Sequence, residues 1–281
     1  MRRDGQAQRC VREYFRTLPV AAKMPGVIPY STRFAEIYDE DWSGFASRKA
    51  PKILDLFRNH HRSPDRAVVL DLCCGTGQMA EHFLEKGCLV TGIDQSQAML
   101  DRAIARCSPY VESGSANFLR ANACDFSLDT SVDFCVSAYD ALNHLPDQES
   151  LWRCFDAVFR ALKPHGLFVF DLKTKQGMRG WNSISITEKP QWTLITRGTY
   201  DDRDTAHRRV TGFVRDNDGR FTRFEETMTE RWFDPESVCQ RLEGTGWREV
   251  RYALSSDLTR PATGVPDGSR VYIVAERGAR S

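Results

Sequence analysis

Between residues 46 and 172, short apolar runs alternate with amphipathic helical stretches, and that rhythm excludes most architectures. A stretch carrying Ile53, Leu54 and Phe57 leads through Ser63-Pro64-Asp65 into Ala67-Val68-Val69-Leu70. That run is short and bounded by turn residues, so it reads as a buried strand. Gly75-Thr76-Gly77 turns it into a helix with Met79, Ala80, Phe83 and Leu84 on one face, and Gly87 ends that helix. Residues 88–93 form a second strand, and Ser96 caps a helix bearing Met99, Leu100, Ala103 and Ile104. Strand patterns follow at 117–121, 132–138 and 167–172, with a helix over 148–162 that stops before Pro164-His165-Gly166. Strands alternating with helices imply βαβ units on a parallel sheet, and right-handed crossovers make it a doubly wound α/β fold.

After Leu172 the period changes. Residues 183–188, 192–200, 206–215 and 221–232 alternate apolar with polar side chains, and Asp216-Asn217-Asp218-Gly219 reads as a hairpin turn. An antiparallel layer with one wet face is expected there. A helix near 235–243 and strands near 247–254 and 270–275 then return to the main sheet. The expected division is an N-terminal helical lid segment over 1–45, a main domain from 46–174 and 233–281, and an inserted layer over 175–232. In the leader, Val11, Tyr14, Phe15 and Leu18 recur at helical spacing.

The 39 basic and 38 acidic residues leave a net charge of +1, so no electrostatic footprint for a nucleic-acid backbone or an anionic membrane is present. The 9 cysteines are scattered, with no metal-ligand spacing and no paired framework, which points to reduced thiols, a cytoplasmic setting and no metal site. Met1-Arg2-Arg3 is followed by polar residues, unlike a signal peptide, and no run reaches the roughly 20 apolar residues of a membrane span.

The chemistry is concentrated in Val69-Leu70-Asp71-Leu72-Cys73-Cys74-Gly75-Thr76-Gly77. A strand that ends in an acidic residue and a tight glycine turn opens a crevice at the carboxyl edge of the sheet, where open α/β sheets bind nucleotides. Glycine is required where a side chain would keep the ligand from the backbone. Asp94 ends the second strand, where a carboxylate can accept hydrogen bonds from both hydroxyls of a ribose. Asp125 follows the third, where it can accept from an adenine amino group. Each of these alone is an ordinary turn residue; together they describe a nucleoside site. The carboxylates would repel a diphosphate, and the glycine spacing is not the full dinucleotide fingerprint, so a sulfonium nucleoside fits better than NAD.

In these strings the sequence resembles the class I S-adenosylmethionine-dependent methyltransferases. The matching segments are 69–77, 90–96, 121–126, 136–145 and Leu162-Lys163-Pro164-His165-Gly166-Leu167. The resemblance implies a Rossmann-like, mostly parallel seven-stranded sheet, S-adenosyl-L-methionine as cofactor and S-adenosyl-L-homocysteine as its product. It implies that Asp71, Cys73 and Gly75 line the methionine end, that Asp94 binds the ribose, and that Gln95 and Met99 lie beside the adenine. Cys124, Asp125 and Phe126 would hold its other edge, and Ala138 and Tyr139 would lie near the sulfonium. Cys73 departs from the family, which often has its first glycine there, and is compatible only if its side chain points away. Tyr30 and Tyr38 are the candidate closing tyrosines, with ordinary packing as the alternative for each.

His144, in Asn143-His144-Leu145-Pro146, lies just past the fourth strand. A neutral imidazole there suits removal of a proton from the acceptor near pH 7, with Asp140 and Tyr139 as substitutes. The alternative is a histidine that only fixes its loop or contacts the cofactor carboxylate. The string at 143–146 and Arg223-Phe224-Glu225-Glu226-Thr227 are similar to stretches of glycine N-methyltransferase and the sugar N-methyltransferases of antibiotic pathways. The expected acceptor is therefore a small molecule methylated on oxygen or nitrogen, in secondary metabolism. Trp181, Trp192, Tyr200, Phe213, Phe221, Phe224 and Trp232 either pack the inserted layer, or some of them roof an acceptor pocket or pair with a second copy as a homodimer. Two other readings stay open at this point: a binder of the same cofactor that does not methylate, and an NAD-linked oxidoreductase.

Overall fold

Val69 faces one side of a strand while Leu70 and Leu72 face the other, and that strand, β1 (Val68–Leu72), lies inside the main sheet. The computed structural model describes residues 30–42, 44–60, 64 and 66–279. The strands that follow are β2 (Leu89–Asp94), β3 (Ala116–Arg120), β4 (Val132–Ser137), β5 (Leu162–Lys173), β6 (Ile184–Lys189) and β7 (Trp192–Tyr200). Next come β8 (Thr205–Arg215), β9 (Phe221–Arg231), β10 (Trp247–Leu254), β11 (Asp257–Pro261) and β12 (Arg270–Arg277). The helices are α1 (Thr32–Asp41), α2 (Gly44–Arg58), α3 (Gln78–Glu85), α4 (Gln97–Arg106) and α5 (Ser108–Glu112), then α6 (Gln148–Ala161), α7 (Lys175–Arg179) and α8 (Pro235–Glu243).

The main sheet runs β3-β2-β1-β4-β5-β12-β10-β11. Its β1–β5 half is parallel, and β12, β10 and β11 add antiparallel strands. One face is covered by α2 and α3 through Ile53, Leu54, Phe57, Met79 and Phe83. The other is covered by α6 and α8 through Leu151, Phe155, Val158, Val238 and Leu242. Helices on both faces make the sheet doubly wound, as expected, and explain why its central strands read as unbroken apolar runs. Burying each such Leu or Phe contributes roughly 1.5–3 kcal/mol.

The sheet has eight strands rather than seven, because Ser255-Ser256 closes a tight hairpin between β10 and β11. Strand β5 begins five residues before the expected Leu167. Val132 pairs with Leu162 and Phe134 with Leu167, so Lys163-Pro164-His165-Gly166 bulges out, with His165 in the left-handed region at φ 66°. The leader pattern of Val11, Tyr14, Phe15 and Leu18 lies outside the described residues. Among those residues, eight cysteines are free and no helix is long and apolar enough to cross a membrane.

The inserted layer is a separate antiparallel sheet in the order β6-β7-β8-β9. Its inner face does not pack only on itself. Trp192, Leu194, Val210 and Met228 meet Phe34 and Ile37 of α1 and Met99 of α4. The Glu226 carboxylate accepts from the backbone N–H groups of Tyr30 and Ser31 at 2.6 and 2.7 Å, and the Trp192 indole donates to Glu40 at 2.7 Å. α1 is thereby pinned between the inserted sheet and the main domain.

The turn from β1 into α3 depends on Gly77, which has φ 77° and abuts α4. A Cβ there would lie 2.9 Å from that of Ala103 and 3.1 Å from its Cα. Gly77→Ala should destabilise the fold by about 2–4 kcal/mol, from left-handed strain plus overpacking. Urea unfolding checks this; a loss below about 1 kcal/mol would mean that α3 and α4 separate easily.

Candidate functional site

The parallel strands β1, β2 and β4 end together, and their last residues build the site. Asp71, on β1 between Gly92 and Val136, is only 4 % exposed, and its Oδ2 has no hydrogen-bond partner. Burial first, then repulsion from Asp94, pushes its carboxyl up to about 7 from the ordinary 3.8; the Ala80 backbone N–H in α3 pulls the other way. An orphaned buried carboxylate is costly unless a donor, best a cation, meets it.

Cys73 and Gly75 carry the chain round the turn with φ of 61° and 54°. The Cys73 side chain packs against the core beneath the sheet edge, and burial raises its thiol pKa, so the non-glycine residue is accommodated in the left-handed region. The Asp94 carboxylate is fixed by two backbone amides: Gly75 N–H donates to Oδ2 and Ser96 N–H to Oδ1, both at 2.9 Å. Burial raises its pKa against those bonds. Ser96 Oγ accepts from Met99 N–H to cap α4 and donates to the Tyr30 carbonyl.

A cavity of about 440 Å³, including its open mouth, lies over this turn and is lined by Asp71, Cys73, Gly75, Tyr38, Ala138 and Tyr139 among others. Six of the residues singled out in the sequence thus share one wall. Gln95, Met99, Cys124, Asp125 and Phe126 do not line it. The Gln95 side chain is exposed, while its carbonyl accepts from Arg120. Met99 is buried against α1 and the inserted sheet. Cys124 and Phe126 point into the core, and Asp125 is exposed on the turn after β3, which Asn122 Oδ1 closes on Cys124 N–H.

A second cavity of about 630 Å³ shares the Tyr38 and Tyr139 side chains with the first. Its floor is strained: Tyr139 and Asp140 have φ of 68° and 55°. Asp171 of β5 holds both, accepting from Tyr139 N–H at 2.8 Å and from Asp140 N–H at 2.6 Å. Phe45 of α2 stacks flat on Tyr139, with centroids 4.2 Å apart. Arg270 bridges Asp171 at 2.5 Å and Asp140 at 2.9 Å. Lys173, nearly buried, pairs with Asp140 and, at 2.7 Å, with Glu230 of β9. Burial and the charge of Asp140 raise Glu230 well above the usual carboxylate range. Asp140 is held below that range because Arg270 and Lys173 outweigh its own burial.

His144 follows Asp140 in a short 3-10 turn. Its Nδ1 lies 3.1 Å from the Thr229 carbonyl, which can only accept, so the proton sits on Nδ1. Nε2 then accepts from the Tyr30 hydroxyl at 3.1 Å. Burial lowers the imidazole pKa below 6.5, so the ring is neutral near pH 7. Tyr30, Tyr139, Asp140 and His144 thus meet in the second cavity.

Sequence reasoning missed Asp171, Lys173, Arg208, Glu230 and Arg270, whereas Trp181, singled out as a possible roof, does line the second cavity. One signal was readable: a charged residue inside the apolar run Phe170-Asp171-Leu172. Among the described residues no cluster of His, Cys, Asp and Glu could hold a metal ion.

The family model of the methyltransferase domain matches residues 69–166, the segment that contributes β1 to β4 and both glycine and acidic edges. A putative methyltransferase of Bacillus subtilis, YqeM, is 27% identical over 260 residues, covering 87% of this chain and 96% of that protein. The chain is a class I S-adenosylmethionine-dependent methyltransferase. Among solved structures the methyltransferase superposes on an S-adenosylmethionine-dependent methyltransferase from Clostridium acetobutylicum with a TM-score of 0.74, at 20% identity over 88% of this chain and 98% of that one. It superposes on the sugar N-methyltransferase KedS8 from a Streptoalloteichus species with a TM-score of 0.71, at 18% identity over 90% and 95%. The fold shared with those structures includes the doubly wound sheet. The donor set suits the cofactor: an orphaned carboxylate for its positive end and a braced one for hydroxyls.

Proposed function

We propose that the methyltransferase moves the methyl group of S-adenosylmethionine to an oxygen or nitrogen of a small molecule, in the biosynthesis of a natural product. The observation that carries this reading is the second cavity. It adjoins the first, sharing the Tyr38 and Tyr139 side chains, and combines aromatic walls with a few convergent polar groups, as small-molecule pockets do. The near-zero net charge supports a small acceptor over a nucleic acid or a membrane surface. Similarity to KedS8 and, over 145 residues at 28% identity, to a Streptomyces venezuelae dTDP-3-amino-3,4,6-trideoxy-alpha-D-glucopyranose N,N-dimethyltransferase supports natural-product chemistry. Residues 46–174 and 233–281 form the cofactor-binding domain in this reading. Residues 175–232 form the acceptor side and a surface for a second copy, and the helix after Tyr30 closes the site. A cytoplasmic setting is part of the same proposal.

Asp71 and Gly75 face the methionine end, Asp94 the ribose, and the exposed Gln95 and Asp125 the adenine, with Met99, Cys124 and Phe126 backing that edge from their core positions. The sulfonium supplies an already activated methyl group, so the protein's share is alignment and exclusion of water. Tyr38, Tyr139 and Phe45 wall the junction of the cavities. His144 Nε2, reached through or in place of the Tyr30 hydroxyl, takes the acceptor's proton. His144→Ala should lower turnover about a hundredfold with cofactor affinity unchanged. Because burial depresses the imidazole pKa, turnover should hold as pH falls toward 6.5 and drop only below it. Near-normal turnover of the variant would assign His144 to loop support alone. Incubation with methyl-labelled cofactor and a panel of phenols, amines and sugars, followed by mass spectrometry, tests the reaction itself.

Asp71 gives a second pH signature. Its pKa of about 7 lies above the ordinary 3.8, so the ligand-free fold loses stability as pH rises between those values and levels off above. A cation bound beside Asp71 favours the ionised form. Cofactor affinity should therefore rise with pH up to about 7, with release of a fraction of a proton below it. Calorimetry in buffers of different ionisation enthalpy reads this directly, and Asp71→Asn should flatten it. An unchanged pH profile in the variant would remove Asp71 from the site.

A further inference from the structure

The second cavity holds a cation that its own carboxylates leave unmatched. Arg208 lies on β8, with Gly198 of β7 and Met228 of β9 as its cross-strand neighbours. Gly198 is there because a Cβ would fall 2.0 Å from the Trp181 carbonyl oxygen, so the Trp181 main chain packs directly on the sheet. The Trp181 ring is thereby set against Arg208, whose guanidinium carbon sits 4.0 Å from the ring centroid. Stacking fixes the plane of the guanidinium while leaving its edge N–H groups available.

The charges around it are already matched. Lys173 serves Asp140 and Glu230, and Arg270 serves Asp140 and Asp171. Among the described residues no ion pair joins Arg208 to a carboxylate, although it lines the same cavity. Its charge is felt inside: it adds to the burial that lowers the His144 pKa, and it opposes, without overcoming, the burial that raises that of Tyr139. Arg208 thus stands without a carboxylate partner beside aromatic walls from Trp42, Tyr38 and Trp181.

We propose that Arg208 is the anion-recognition residue of the acceptor cavity, and that the acceptor is a small molecule carrying a carboxylate or phosphate. Such an oxyanion meets the guanidinium edge in a charge-assisted, bidentate pair, while the body of the molecule lies along the aromatic walls toward Tyr139. Arg208 is a specificity residue for the reaction proposed above, and the inference rests on that reading of the second cavity.

The test is calorimetric titration of the S-adenosylhomocysteine-loaded enzyme with benzoate, phenyl phosphate and uncharged benzyl alcohol. At least one anion should bind about tenfold or more tightly than benzyl alcohol. Arg208→Met should abolish that advantage and Arg208→Lys retain part of it. Affinity for S-adenosylhomocysteine should be unchanged in both variants, which also certifies their folding. The ratio of benzoate to phenyl phosphate tells carboxylate from phosphate recognition. Benzyl alcohol binding as well as the anions, anions binding the methionine variant as well as the parent, or no anion binding at all would each overturn the proposal. Failure of the small-molecule reading shows separately, as an absence of methylated product from the acceptor panel while the anions still bind through Arg208.

Discussion

Asp94→Ala should raise the dissociation constant for S-adenosylmethionine by at least about a hundredfold, equivalent to about 3 kcal/mol. Two losses combine. The carboxylate is the candidate acceptor for both ribose hydroxyls, and hydrogen bonds to a charged acceptor are among the stronger ones. The same two oxygens accept from the Gly75 and Ser96 amides, so truncation also frees the glycine turn that lines the first cavity. Asp94→Asn should fall between, because one amide oxygen can still accept from one side. Titration calorimetry on the folded variant reads the effect. Binding within about threefold of the parent would place the nucleoside away from β2.

Lys173→Met should be the most damaging substitution for stability, at about 3–5 kcal/mol near neutral pH. Methionine fits the space but leaves Asp140 with Arg270 alone and Glu230 with no cation, in a nearly dry pocket where three carboxyl groups converge. The sign with pH follows from Asp140. Its folded pKa is depressed below 3.8, so it contributes stability above that value and loses it as pH falls through the lower, folded one. Removing Lys173 raises that folded pKa and with it the pH at which protonation relieves the cluster, so the deficit of the variant should shrink on acidification. Urea unfolding at pH 8 and pH 5 measures both. A deficit below about 1 kcal/mol at pH 8 would mean that water reaches the cluster and screens it.

The two cavities differ in how far the residues alone disclose them. The acidic and glycine wall of the first comes from one continuous piece of βαβ pattern, in which Asp71, Gly75 and Asp94 each end or follow a recognisable strand, so local periodicity carries them to one edge. The helix at 235–243 and the strand at 247–254 were legible for the same reason, and the inserted strands came within one or two residues of their observed ends. The second cavity is assembled from β5, β8, β9 and β12, and only the topology brings them together. Glu230 and Arg208 look like any polar residue on an alternating strand, and Lys173 and Arg270 like strand-end charges. Their roles follow from which face of the inserted sheet meets the main domain, and α1 decides that by docking on Trp192, Leu194 and Val210. The extra strand β11 escaped because a two-residue serine hairpin lacks the glycine or asparagine that usually announces one.

A crystal structure of the chain with S-adenosylhomocysteine is the most direct measurement. The ligand should fill the cavity over the β1 turn, with its ribose hydroxyls on the Asp94 carboxylate and its amino-acid end beside Asp71. Density for the ligand at any other place, or an Asp94 still bonded only to Gly75 and Ser96 in the complex, would contradict it.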